Sequence, residues 1–242
     1  MRGLLITFEG TEGCGKSTQL TILAQKLTEM GHIVRTLREP GGTPIGEEIR
    51  HTLKHSTANA NMAPETELLL MNASRAQLVR EVITPALAAR QIVLCDRFYD
   101  STIAYQAFGR RLSMASVQAI VDFAVGDVRP DLTLLLKVPI TVSEQRRKAR
   151  IGSSKVRDRM EEADREFFER VEQGYESISA ADGMRVRTVD ATQDVESVST
   201  DIWKWVQPLV EAWTGQGVNT LKSLGEYKQS TLNDPESEIS RD

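Results

Sequence analysis

Residues that could build a disulfide framework or a metal cluster are scarce in this chain. Its 242 residues include two cysteines, Cys14 and Cys95, and three histidines. The cysteines have neither a metal-ligand spacing nor a partner pattern, so reduced thiols are expected. The histidines suggest no ligand cluster and no catalytic triad, and we expect them to have surface or packing roles.

Long apolar runs and a surplus of positive charge are also missing. The apolar stretch near the start covers only residues 4–8, too short for the apolar region of a signal peptide, and no other segment reaches a membrane-spanning length. The formal net charge is −4 and the pI is about 5.6. General nucleic-acid binding needs a basic footprint, so this charge argues against it. We therefore expect a cytoplasmic protein with no membrane or nucleic-acid partner.

What the chain does contain is a regular alternation of apolar runs and helical periodicity. Strands are predicted at residues 4–8, 33–37, 91–95, 132–138 and 186–189. Helices are predicted at residues 16–30, 44–54, 64–89, 113–126, 141–149, 160–181 and 195–213. This alternation predicts an α/β fold, a doubly wound parallel five-stranded sheet with helices on both faces. We expect one domain over residues 1–213 and a flexible polar tail over residues 214–242.

A phosphate-binding loop (P-loop) stands between the first predicted strand and the first predicted helix. Its glycines let backbone N–H groups converge on phosphate oxygens, and the helix N-terminus adds partial positive charge. Lys16 is expected to reach the β- and γ-phosphates of a nucleoside triphosphate, and Ser17 to hold Mg²⁺. A plain strand-to-helix turn is the alternative. The residues predicted to bind the triphosphate are Gly10, Thr11, Glu12, Gly13, Cys14, Gly15, Lys16, Ser17, Thr18 and Arg146.

Charged residues follow the second and third predicted strands, whose carboxyl ends form the usual ligand-binding edge of such sheets. Arg38 opens the turn Arg-Glu-Pro-Gly-Gly-Thr, in which the bond between Glu39 and Pro40 is expected to need a special geometry. Asp96 ends the third strand, where a carboxylate commonly holds Mg²⁺ directly or through water. Arg97 is placed for a second phosphate, with a surface salt bridge to Asp96 as the alternative.

More cations occur on the long predicted helix and after the fourth strand. Arg75 lies among apolar positions and needs an anionic or polar partner, unless the helix exposes it to solvent. A dense basic segment around Gly152-Ser153-Ser154, interpreted as a hinge, is predicted to form a lid over about residues 146–160. A solvated helix face is the alternative. The cations of this segment are Arg146, Arg147, Lys148, Arg150, Lys155, Arg157 and Arg159.

Together these motifs resemble the bacterial thymidylate kinases, which are P-loop nucleoside monophosphate kinases. The resemblance covers about residues 3–213. It rests on the glutamate-bearing P-loop, the turn at 38–43, Arg75, Asp96-Arg97-Phe98, Thr-Ile-Ala-Tyr-Gln at 102–106 and the basic segment ending in Asp158-Arg159. It implies transfer of the ATP γ-phosphoryl group to dTMP, giving dTDP, with Mg²⁺ and usually in a homodimer that uses the long helix. Two alternatives stay open: a kinase for another small acceptor, and a non-enzymatic nucleotide switch or ATP-driven binding protein.

The resemblance also implies roles for single residues. Glu12 would face the 3′-hydroxyl side of dTMP, Arg75 the thymine edge, and Tyr105 would exclude a ribose 2′-hydroxyl. The P-loop has no arginine of its own, which implies catalytic cations from the lid. The implied catalytic residues are Lys16, Arg97, Arg150 and Arg159, and the implied metal ligands are Ser17 and Asp96. The implied substrate-binding residues are Glu12, Arg38, Pro40, Arg50, Met71, Arg75, Arg97, Thr102, Tyr105 and Gln106, with Arg38 and Arg97 on the phosphate.

Two positions depart from the family pattern. Met71 stands where an aromatic residue normally stacks on thymine, and its polarizable thioether preserves a weaker platform for the base. Lys137 stands where the corresponding strand commonly ends in Leu-Asp-Val. No role for Lys137 follows from the sequence.

Overall fold

The computed structural model describes residues 1–153, 159–160 and 163–215, excluding the side chains of residues 147–148 and 150–153. The chain divides into two units, Met1–Ile202 and Trp203–Asp242, and residues 203–214 of the second unit continue the last helix. Lys155 and Arg157 of the predicted lid, and the chain beyond residue 215, lie outside the described residues. The division into a domain over residues 1–213 and a tail over residues 214–242 stays a prediction.

Five parallel strands form the central sheet. They are β1 (Leu4–Glu9), β2 (Val34–Arg38), β3 (Ile92–Asp96), β4 (Leu132–Lys137) and β5 (Val186–Asp190), in the order β2-β3-β1-β4-β5. The three central strands β1, β3 and β4 are buried along almost their whole length, as expected when helices cover both faces of a parallel sheet. The predicted fold class and the five predicted strands are confirmed.

Helices connect the strands and cover the sheet. The described α-helices are α1 (Lys16–Glu29), α2 (Pro44–Lys54), α3 (Pro64–Leu78), α4 (Thr84–Ala88), α5 (Tyr99–Thr102), α6 (Met114–Val125), α7 (Ile140–Ser153), α8 (Arg165–Ala181) and α9 (Val195–Thr214). A π-helical turn at Val79–Ile83 joins α3 to α4, which together form the predicted long helix. Within the described residues, no helix is long and apolar enough to cross a membrane.

The structure differs from the sequence-based prediction at several helix boundaries. Helix α8 begins at Arg165 and not near residue 160, because the Asp164 side chain accepts the backbone N–H of Phe167 at 2.7 Å and caps the helix there. Helix α7 extends to Ser153, so part of the predicted hinge is helical. Helix α5, the π-helical segment Ile103–Gly109 and a 3₁₀ turn at Thr57–Asn59 were not predicted.

Close packing of α8 places one of its tyrosines beside the carboxyl edge of the sheet. A Cβ atom on Gly174 would come within 2.9 Å of the Cα atom of Ala104, so only glycine allows this approach to the π-helical segment. Tyr175, the next residue, is buried with Tyr105 and Phe167 in one apolar cluster. The strand register places the last residues of three strands side by side at this edge. Asp96 of β3 lies between Phe8 of β1 and Arg38 of β2.

Candidate active site

The P-loop joins β1 to α1 at the carboxyl edge of the sheet. Gly10 has φ 131°, and a Cβ atom there would lie 2.3 Å from the carbonyl oxygen of Leu136, so the turn requires glycine. The Lys16 ammonium donates to the carbonyl oxygens of Gly10 at 3.0 Å and Thr11 at 2.8 Å. Its charge is therefore held across the loop, beside backbone N–H groups at the N-terminus of α1.

Two oxygen-bearing side chains meet next to the P-loop. The hydroxyl of Ser17 donates to the carboxylate of Asp96 at 2.6 Å, across the gap between α1 and β3. Oxygen ligands suit Mg²⁺, which commonly takes only one or two protein ligands and completes its shell with waters and phosphate oxygens. Among the described residues, no group of three or more His, Cys, Asp or Glu side chains is arranged to hold a metal ion by itself. This donor set fits a magnesium ion that shares its ligands with a bound nucleotide.

Two adjoining cavities open at this edge. The first, which we call the charged cavity, has a volume of about 440 Å³ and lies over the P-loop. The second, which we call the small pocket, has a volume of about 50 Å³ and is lined by α3 and the π-helical segment. Four residues line both cavities, and they are Glu12, Glu39, Lys54 and Arg97. A ligand reaching from one cavity into the other would therefore touch these groups at the junction.

Arg97 and Glu12 form the ion pair at this junction. A guanidinium nitrogen of Arg97 donates to the Glu12 carboxylate at 2.8 Å, and the Tyr105 hydroxyl donates to the other carboxylate oxygen at 2.6 Å. Burial alone would raise the pKa of Glu12, but Arg97, Lys16 and the Tyr105 hydrogen bond lower it below its ordinary value. Glu12 is therefore a carboxylate, and the partner of Arg97 is Glu12 and not the neighbouring Asp96.

A second carboxylate, that of Glu9, supports Arg97 through two hydroxyl groups. The other terminal nitrogen of Arg97 donates to the hydroxyls of Ser101 at 2.9 Å and Tyr175 at 3.1 Å, and both hydroxyls contact the Glu9 carboxylate at 2.5 and 2.9 Å. Burial, together with the nearby Asp100, raises the pKa of Glu9 to about 7. Sequence reasoning missed this group. The available signal was a glutamate at the end of a strand that is otherwise almost entirely apolar.

Arg75 is buried, and Glu39 is its anionic partner. Its Nε donates to the Glu39 carboxylate at 2.8 Å, and its Nη1 donates to the side-chain oxygens of Asn72 and Thr102, both at 2.8 Å. Its Nη2 contacts Glu39 at 2.7 Å and the carbonyl oxygen of Phe98 at 3.2 Å. Burial raises the pKa of Glu39, and the charge of Arg75 opposes that rise. The alternative of a solvent-exposed Arg75 is excluded, because its side chain is 2% exposed.

The turn after β2 brings two more arginines to the charged cavity. The bond between Glu39 and Pro40 is cis, which is the special geometry expected there. The carbonyl oxygen of Pro40 accepts from Arg50 at 2.8 Å and from Arg38 at 3.1 Å. Arg38 also pairs with Glu47 at 2.9 Å, a residue that sequence reasoning did not select. The turn thus orients two cations toward one wall of the cavity.

The predicted lid cations reach different places. Arg146, on α7, donates to the carbonyl oxygen of Gly13 at 3.0 Å and lines the charged cavity. The side chain of Arg150 lies outside the described residues. Arg159 pairs with the buried Glu67, next to the small pocket, and is not among the residues lining the charged cavity. The structure therefore brings Arg146 to the P-loop and Arg159 to the opposite end of the site.

The comparison with known proteins agrees with this geometry. The family model for thymidylate kinase matches residues 8–202. The chain belongs to the thymidylate kinase family. It is 47% identical over 203 residues to the thymidylate kinase of Geobacter sulfurreducens, covering 83% of this chain and 94% of that protein. It is 45% identical over 213 residues to that of Alcanivorax borkumensis, covering 88% of this chain and all of that protein.

A solved structure shows the same similarity. The crystal structure of thymidylate kinase from Ehrlichia chaffeensis matches with a TM-score of 0.69 and 30% sequence identity, covering 84% of this chain and 98% of that one. The resemblance drawn from the motifs is therefore confirmed, and so are the fold class and the kinase activity that it implied.

Both departures from the thymidylate kinase pattern can be placed. Met71 lines the small pocket beside Arg75, while Asn72 turns inward and donates to the carbonyl oxygen of Leu68 at 2.8 Å. Met71, and not Asn72, is thus the residue of this turn at the pocket wall. Lys137 forms a partly exposed ion pair with Glu176 of α8 at 2.8 Å. Such pairs contribute little stability. The Lys137 ammonium group is directed toward α8 by this pair.

Proposed function

We propose that this chain transfers the γ-phosphoryl group of ATP to dTMP, giving dTDP for dTTP synthesis. The observation that carries this assignment is the pair of adjoining cavities, one charged and one small, with Arg97 and Glu12 at their junction. Two phosphorylated substrates in these cavities would meet phosphate to phosphate near Arg97. This is the arrangement that direct phosphoryl transfer between two nucleotides requires.

ATP would occupy the P-loop side of the charged cavity. The backbone of residues 10–15 would cradle its phosphates, with contributions from Thr18 at the start of α1, and Lys16 would turn from its carbonyl partners to the β- and γ-phosphates. Arg146 approaches the same loop from α7. Arg150 lies one turn further along that helix, and we assign its cation to the transferring phosphate group. Ser17 and Asp96 would hold the Mg²⁺ ion, which neutralises phosphate charge when it is bound.

The acceptor dTMP would lie with its phosphate at the junction and its base in the small pocket. Arg97 and Arg38 would bind the phosphate, supported by Arg50 and the Pro40 turn. The Glu12 carboxylate would accept a hydrogen bond from the 3′-hydroxyl, beside the Tyr105 ring that fills the space a 2′-hydroxyl would need. The residues that would surround the base are Met71, Arg75, Thr102 and Gln106.

Catalysis in this site is a matter of position and charge. The acceptor is a phosphate oxygen, already ionised near neutral pH, so no general base is required. Lys16, Arg97 and the cations of α7 stabilise the charge that develops on the transferring group. Arg97 is suited to this task because the Glu12 carboxylate and three hydroxyl groups fix its guanidinium before substrate arrives.

A coupled assay of ADP formation with five acceptors tests the proposed function. With ATP and Mg²⁺ constant, we expect the largest kcat/KM for dTMP among dTMP, dUMP, dCMP, dGMP and AMP. We expect the smallest values for the two purine nucleotides, because a two-ring base needs more room than the one-ring base of dTMP between α3 and the π-helical segment. ATP hydrolysis without acceptor gives the background rate. Equal or faster turnover of another monophosphate would overturn the assignment.

We also propose that the chain works as a cytoplasmic homodimer, built on the surface of α3 and α6. Leu69 of α3 and Phe123 of α6 are large apolar side chains with exposed fractions of 55% and 86%. A second copy of the chain would remove this apolar surface from water. Light scattering on the purified protein should give twice the chain mass, and a Phe123→Glu variant should give the mass of one chain. A monomeric wild-type protein would contradict the proposal.

A further inference from the structure

Glu67 is a carboxylate with no exposed surface that binds groups from two other parts of the chain. It lies on α3 and accepts from Arg110 at 2.9 Å and from the side-chain amide nitrogen of Gln106 at 2.8 Å. It also pairs with Arg159, whose backbone N–H donates to the carbonyl oxygen of Lys54. Sequence reasoning did not select Glu67, and the kinase mechanism above does not use it.

Two guanidinium groups facing Glu67 make it a carboxylate that accepts hydrogen bonds and donates none. The amide of Gln106 must therefore present its NH₂ group to Glu67. Turning the amide over would place its oxygen against the carboxylate, where two acceptors repel and no hydrogen bond forms. Glu67 thereby fixes the direction of the Gln106 amide.

The fixed amide matters because Gln106 lines the small pocket. With the nitrogen engaged by Glu67, the amide oxygen is turned away from the carboxylate and is the acceptor left for a ligand. Among the described residues, no group donates to this oxygen. Glu67, Met71 and Arg75 follow each other at intervals of four on α3, so one face of the helix carries all three.

We propose that Glu67 is a positioning residue for base selection. By orienting Gln106 with its oxygen toward the base, it favours a pyrimidine with a ring N–H over one whose ring nitrogen at that position is an acceptor. This inference rests on the proposed function, because it needs the base to lie in the small pocket. Thymine and uracil carry the ring N–H, whereas cytosine has an unprotonated nitrogen there.

The experiment measures kcat/KM for dTMP, dCMP and dUMP in the wild type and in Glu67→Gln. A glutamine at position 67 can donate as well as accept, so the Gln106 amide can adopt either direction. We expect the preference for dTMP over dCMP to fall by about tenfold, which lies within the range that a wrong polar pairing costs in a buried site. The ratio of dTMP to dUMP, which share the ring N–H, should stay within twofold. The KM for ATP should also stay within twofold.

A double-mutant cycle separates positioning from a general effect on folding. In a Gln106→Met background there is no amide to orient, so Glu67→Gln should leave the dTMP to dCMP ratio unchanged. Arg110→Met serves as the matched control, because it removes a cation from the same cluster but leaves the carboxylate opposite Gln106. We expect this control to retain the wild-type ratio. If Glu67→Gln does not fold, Glu67→Asp takes its place, with the wild-type ratio expected because the acceptor is kept.

The outcomes are distinguishable. If the wild type does not phosphorylate dTMP, the proposed function fails. If the wild type is active and Glu67→Gln keeps its base preference, the inference about Glu67 fails while the function stands. An equal loss of preference in the Gln106→Met background would also overturn the inference, because Glu67 would then act independently of Gln106. The same test applies to Glu67→Asp. If Glu67→Asp lowers the dTMP to dCMP ratio by the same factor with and without Gln106→Met, the inference about Glu67 is overturned.

Discussion

Replacing Lys16 with methionine is expected to lower the turnover number by at least about 10²–10³-fold while the protein stays folded. Methionine keeps most of the aliphatic stem but removes the ammonium group. Among the described residues, this group contacts only groups of the P-loop, the carbonyl oxygens of Gly10 and Thr11 and the sulfur of Cys14. Removing the ammonium group is therefore expected to weaken the interaction with bound phosphates much more than it weakens the fold. The measurement is the coupled assay at saturating ATP and dTMP, with thermal unfolding as the test of folding.

Lys26 provides the control for this experiment. It lies in the last turn of the same helix, far from the P-loop, so Lys26→Met should retain turnover close to that of the wild type. Turnover of Lys16→Met within threefold of wild type would show that the loop does not serve phosphoryl transfer.

Replacing Arg97 with alanine should affect both activity and stability. The guanidinium is a cation at the junction of the two cavities, fixed by the Glu12 carboxylate, so kcat/KM for dTMP is expected to fall by about 10²–10³-fold. The KM for ATP should change much less, because the proposed ATP site lies mainly on the P-loop. Steady-state kinetics with each substrate varied in turn would show this difference. A variant with equal losses for the two substrates would contradict the placement of Arg97 on the acceptor phosphate.

The loss of stability follows from the carboxylates that Arg97 neutralises. Glu12 is 12% exposed and Glu9 is fully buried, so removing their common cation is expected to cost about 3–5 kcal/mol. Removing Arg97 takes away the largest influence that lowers the pKa of Glu12 and one that opposes the raised pKa of Glu9, so the folded-state pKa of both groups is higher in the variant than in the wild type. A raised folded-state pKa means that stability is lost as the pH rises through it. The difference in unfolding free energy between variant and wild type should therefore shrink as the pH is lowered from about 8 to about 5.

Lys137→Ala is the control for stability. Lys137 pairs with Glu176 at 2.8 Å, both partly exposed, and such pairs contribute at most about 1 kcal/mol. This control should unfold nearly as the wild type does at every pH. If the stability difference for Arg97→Ala were independent of pH, the two carboxylates would not be the cause.

The fold could be predicted because its signals are local. Each strand is a short apolar run, and the P-loop and Asp96 follow strands whose carboxyl ends must share an edge of a parallel sheet. Arg75 could be selected for a similar reason, since a charged residue among apolar helix positions requires a partner. The partner itself, Glu39, is 36 residues away and could not be inferred from the spacing.

The supporting groups of the site could not be predicted because they depend on tertiary contacts. Tyr175 reaches Arg97 only because α8 packs closely on the π-helical segment at Gly174. Glu67 looks like an ordinary first-turn glutamate of α3, a position that also favours acidic residues for local reasons. The location of Arg159 likewise depends on Glu67, which is 92 residues earlier in the chain. Local patterns therefore selected residues that line the two cavities more readily than the residues that hold them in place.

The guanidinium of Arg75 has an acceptor within the protein for each of its N–H groups, although it lies at the wall of a pocket. Its rotational freedom is therefore lost when the chain folds, and not when a ligand arrives. An arginine side chain that became ordered only on binding would lose about 0.5–1.5 kcal/mol of the interaction as entropy. That cost is absent here. Binding of a ligand at this end of the pocket therefore requires the removal of water from a surface that is already formed. We expect its affinity not to depend on ordering the Arg75 side chain.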